Sequence, residues 1–80
     1  MPEVTFGGIP AWLLATYLTE MGGTFDDERT IRGDGWTATL TSHNMPAGGL
    51  GLGRVTVAIE GVAAEATMAA LRKKAQRGGG

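Results

Sequence analysis

The segment Trp36-Thr37-Ala38-Thr39-Leu40-Thr41 alternates without a break, with apolar residues at 36, 38 and 40 and threonines at 37, 39 and 41. Successive strand side chains point to opposite faces, so this run predicts a β-strand with one covered face and one open face. Val55, Val57 and Ile59 repeat the pattern within Arg54–Glu60. A two-stranded ribbon is marginal in water. The rest of the chain must therefore supply further strands and a cover for the apolar face.

Two segments have the period of a helix. Pro10 fits a first helical turn, and Leu13, Leu14, Tyr17, Leu18 and Met21 follow on one face until Gly22-Gly23 stops it. This predicts a helix over residues 10–21. A second helix is expected over residues 62–76, with Ala64, Met68, Leu71 and Ala75 as its inward stripe. Val4 and Phe6 mark a first strand ended by Gly7-Gly8, and Thr24–Ile31 reads as a polar second strand, bulged at Asp26-Asp27-Glu28. Gly33-Asp34-Gly35 is a tight turn. A loop is expected from Ser42 to Gly49, and Leu50-Gly51-Leu52 reads as a short strand.

The expected fold class is α+β, in the order β-α-β(3–4)-α. It is an antiparallel meander with both helices on the face of Phe6, Trp36, Leu40, Val55, Val57 and Ile59. Residues 1–77 form one domain and residues 78–80 a flexible glycine tail. A chain of 80 residues without cysteine has a small core and neither a disulfide nor a cysteine-based zinc site. Missing cysteine fits a reducing, cytoplasmic setting. No apolar run reaches the roughly 18–20 residues that cross a bilayer, and no signal-peptide pattern opens the chain. The body is acidic and the end basic, which argues against nucleic acid on the sheet.

The run Phe6-Gly7, Pro10-Ala11-Trp12-Leu13-Leu14, Tyr17-Leu18, Glu20 and Gly22-Gly23-Thr24 resembles the C-terminal domain of two-domain MoaD-related proteins. So do the strand end Glu60-Gly61 and the terminal Arg77-Gly78-Gly79-Gly80, while residues 25–49 match weakly. The resemblance implies a TATA-box-binding-protein-like fold of unknown activity. In that family the domain follows directly on a ubiquitin-like sulfur carrier, which has no counterpart in these 80 residues. It further implies a sulfur-carrier protein or its adenylating enzyme as partner.

The candidate partner contacts are Trp12, Arg72, Lys73, Lys74, Arg77, Gly78, Gly79 and Gly80. Trp12 lies off the apolar stripe of its helix. It reads either as a cover for the core edge beside Ile9 or as a binding hot spot. The basic cluster reads as a dock for an acidic partner or as a solvated helix end. Gly78-Gly79-Gly80 resembles the tail of a carrier that an adenylating enzyme activates, but it leaves a helix where carriers leave a β-strand. Gly48–Gly53 leads into a strand without the Lys-Ser or Lys-Thr of a phosphate loop. Asp26, Asp27 and Glu28 lack calcium-loop spacing, and Ser42 and His43 point to opposite faces. No cofactor, metal or catalytic residue is therefore expected. Three functions remain: an accessory module of sulfur-carrier or molybdenum-cofactor metabolism, a carrier activated at its own terminal glycine, or a small-ligand binder.

Overall fold

The computed structural model describes residues 2–43 and 53–78. The elements run β1 (Glu3–Gly7), α1 (Ala11–Glu20), β2 (Thr24–Asp27), β3 (Thr30–Gly33), β4 (Trp36–His43), β5 (Arg54–Glu60) and α2 (Ala64–Gly78). All strand pairs are antiparallel, in the order β1-β5-β4-β3-β2. Strands β2 to β5 make a meander, and β1 closes the far side by pairing with β5. The fold is α+β, as the alternation and the two helical stripes predict.

Register explains the two faces. Phe25, Ile31, Ala38 and Ile59 are successive cross-strand partners, as are Leu40 and Val57 with Val4. This face meets Leu14, Ala15 and Leu18 of α1 and Ala64, Met68, Leu71 and Ala75 of α2 in one buried cluster. The α1 stripe centres on Leu14, Ala15 and Leu18, leaving Tyr17 and Met21 on its flank. The opposite face carries the row Thr41, Thr56 and Thr5, with Thr5 and Thr56 hydroxyls 2.9 Å apart. Truncation of the exposed Thr39 to Ala should therefore shift unfolding free energy by no more than about 0.5 kcal/mol in a urea titration.

Several boundaries differ from those expected. Residues 24–31 form not one strand but a hairpin, β2 and β3, turning at Glu28-Arg29. Asp27 Oδ1 accepts the Arg29 amide at 2.8 Å, and an Asp side chain closes such a turn without glycine or proline. The register shifts between Phe25 and Asp27, which is the bulge expected from the acidic run. Pro10 caps α1 in an extended conformation rather than entering it, and its carbonyl accepts the Leu13 and Leu14 amides. Ser42 and His43 belong to β4, not to a loop. The remainder of that loop, the expected strand at Leu50–Leu52, residues 48–52 of the glycine-rich run and the terminal Gly79 and Gly80 lie outside the described residues. Helix α2 begins two residues late, because Gly61–Ala63 form a turn, and it continues to Gly78.

Candidate functional site

A half-open groove of about 520 Å³ lies between α1 and the β2–β3 hairpin. Its origin is traceable to three local choices. Ala11 and Ala15 stand one turn apart on α1 and put no bulk over Ile31 and Leu40, which line the floor. The β3–β4 register ends at Thr30–Thr39 and the Leu40 amide still donates to the Arg29 carbonyl at 2.8 Å, so β4 overhangs from Thr41 onward, where Thr41 and Ser42 line the groove. On β2, Phe25 faces the helix side as the partner of Ile31, but at the sheet edge it stays 54% exposed.

Trp12 forms the opposite rim and is 69% exposed. It does not cover the edge of the core. That place is held by Ile9, partly buried against the cluster. Trp12 and Phe25 are the exposed aromatics among the described residues, and both line this groove. The hairpin turn adds Glu28 and Arg29 to the rim. Neither has an ion-pair partner among the described residues, where the salt bridges are Arg32–Asp26 and Lys74–Glu20. Thr16 faces the groove too, but its hydroxyl donates to the Trp12 carbonyl at 2.9 Å.

The acidic run serves the hairpin. Asp26 pairs with Arg32 at 3.2 Å. The Arg29 amide, and next the Thr30 hydroxyl, hold the Asp27 carboxyl below its ordinary range. A carboxyl depressed in the fold stabilises it above the ordinary range, and that contribution fades as pH falls through the lowered value. No group of three or more metal-ligating side chains occurs among the described residues. His43 Nε2 lies 3.0 Å from Thr56 Oγ1 on the open sheet face, away from Ser42.

Among the described basic side chains of α2, Arg72 and Lys74 lie on different sides of the helix. At about 100° per residue, Arg72 and Lys74 fall roughly 160° apart around the axis. Lys74 reaches Glu20 of α1 at 3.2 Å and sits 6.0 Å from the Tyr17 ring centroid, so it ties the helices together. Arg72 and Lys73 are exposed, while Arg77 and Gly78 extend the helical backbone. Of the partner contacts singled out from the sequence, Trp12 lines the groove; Phe25, Glu28 and Arg29 line it too and are not among them. The available signals were an aromatic in a polar hairpin and two alanines at helical spacing across from it.

Fold and groove together define a small α+β domain whose exposed aromatics converge on an apolar-floored cleft. The chain belongs to the archaeal MoaD-like family: the family model described as archaeal MoaD-like protein matches residues 2–80. No curated protein matches the chain. Among the described residues, no helix is long and apolar enough to cross a membrane.

Proposed function

We propose that this chain is a non-catalytic, cytoplasmic binding module of sulfur-carrier or molybdenum-cofactor metabolism that works through the groove between α1 and the β2–β3 hairpin. The observation that carries this reading is the convergence of Trp12 and Phe25 on one cleft. Large aromatic side chains held in water are costly to leave uncovered, and tryptophan is enriched at binding hot spots. Family membership supports the metabolic setting. The order strand, helix, four strands, helix supports kinship with the second domain of two-domain MoaD-related proteins and its TATA-box-binding-protein-like fold. The partner then is a sulfur carrier or its adenylating enzyme, with the exposed Arg72 and Lys73 as secondary contacts.

A carrier activated at its own terminal glycine is the weaker reading. Gly78 continues helix α2, whereas activation requires an extended tail to enter an enzyme channel.

The test is retention of a sulfur carrier and of its adenylating enzyme on immobilised protein, wild type against Trp12→Ala. Retention at micromolar concentration is expected, weakened at least about tenfold by the substitution. Because Trp12 is exposed, the variant's melting temperature should stay within about 2 °C of wild type. Absence of both partners from the wild-type column removes the metabolic link. Retention indifferent to Trp12 removes the groove.

A further inference from the structure

We infer that the groove takes a purine mononucleotide, its base held between Trp12 and Phe25 and its phosphate at Arg29. This rests on the reading of the groove as the binding site and gives it a small-molecule occupant, which competes there with the protein partner for Trp12. The volume, about 520 Å³, lies within the roughly 300–1,000 Å³ typical of small-ligand sites. The lining combines an apolar floor with polar side chains from α1 (Thr16), the hairpin turn (Glu28, Arg29) and β4 (Thr41, Ser42). Ala11, Ala15, Ile31 and Leu40 offer a flat floor with no hydrogen-bonding side chain.

The two rims call for a planar π-system. Trp12 comes from α1 and Phe25 from β2, on the two sides of the groove, and bases stack on aromatic side chains of this kind. The charges select what the ring carries. Arg29 has no carboxylate at ion-pair distance among the described residues, and a guanidinium matches phosphate oxygens in a bidentate fork. Glu28, also unpaired there, is an acceptor for the exocyclic amino group of a purine. A simple aliphatic anion would leave both aromatic rims uncovered.

Trp12 reports occupancy, since it is exposed while Trp36 is buried at 6%. AMP, GMP, adenosine and inorganic phosphate are titrated while tryptophan emission is followed, with Trp12→Phe as the silent control. AMP or GMP should quench saturably with a midpoint at or below about 1 mM. Adenosine should bind roughly tenfold more weakly, and phosphate should not quench. Arg29→Ala should weaken the nucleotide about tenfold and leave adenosine unchanged, with Arg29→Lys recovering part of the loss. Circular dichroism melts of the Arg29 variants matching wild type exclude a folding effect.

Quenching that does not saturate, or that Arg29→Ala leaves untouched, overturns the inference. If that happens while partner retention still depends on Trp12, the ligand class fails and the groove reading survives. If nucleotide binds as described but no pathway partner is retained, the metabolic link fails and the ligand class survives.

Discussion

Leu71→Ala should lower the unfolding free energy by about 3–5 kcal/mol, toward the upper part of the range for buried leucine truncations. Leu71 has no exposed surface, and it sits mid-stripe on α2 between Met68 and Ala75. That helix contributes Ala64, Thr67, Met68, Leu71 and Ala75 to the interior, so leucine and methionine supply most of its bulk. The neighbouring alanines have no side-chain length with which to collapse into the space left by a lost isobutyl group. The cavity therefore persists, and its cost adds to the lost transfer free energy. For 80 residues the whole stability is about 4–12 kcal/mol, so the variant should approach half-unfolding under mild urea. Arg72→Ala is the internal comparison. One position on, about 100° around the axis, it is exposed, and its truncation should change stability by no more than about 0.5 kcal/mol. Similar effects for the two would mean that α2 presents a different face to the sheet.

The covered face of the sheet is legible in the sequence because it depends on strict alternation. Trp36, Ala38, Leu40, Val55, Val57 and Ile59 can share a face in only one register, and all are buried. The same holds for the α2 stripe, where four apolar residues at helical spacing leave one way to turn the helix. The β2–β3 hairpin is not legible, because its turn is closed by the Asp27 side chain on the Arg29 amide and carries no glycine or proline. The groove is a further step removed. It depends on where α1 crosses the sheet and on how far β4 outruns β3. Neither follows from local pattern, although Phe25 in its polar setting and Ala11 with Ala15 are the residues that decide it. From pattern alone Trp12 stands equally well as core cover or as surface aromatic; in the fold Ile9 packs against the core and Trp12 is exposed. The basic end reads as a run in one dimension. Helical phase splits Arg72 from Lys74, and Glu20 engages the latter.

Gly61→Ala should be as damaging as a large core truncation although it adds a single methyl group. Gly61 ends β5 with φ at +117°, beyond the small left-handed region open to residues with a side chain. A Cβ there would also collide with the Gly35 carbonyl oxygen, and would meet its carbon at 2.9 Å and Trp36 Cα at 3.0 Å. These are backbone atoms, which cannot swing aside as a side-chain tip can. The β3–β4 turn is held against the start of α2 by the Ala63 amide donating to that same Gly35 carbonyl at 2.8 Å. Relief of the clash would therefore break this bond or shift Trp36, whose ring already lies against Gly33 and Gly23. Conformational strain of about 1–2 kcal/mol and overpacking of about 1–3 kcal/mol add to a loss of roughly 2–5 kcal/mol. Gly8→Ala separates the two contributions, since Gly8 has φ at +77° and nothing within 4 Å of the place its new methyl group would occupy. That variant should lose only the conformational part, about 1–2 kcal/mol. Chemical denaturation of both variants measures the difference. Equal losses would mean that the two turns do not meet, and that α2 is held to the sheet by its apolar stripe alone.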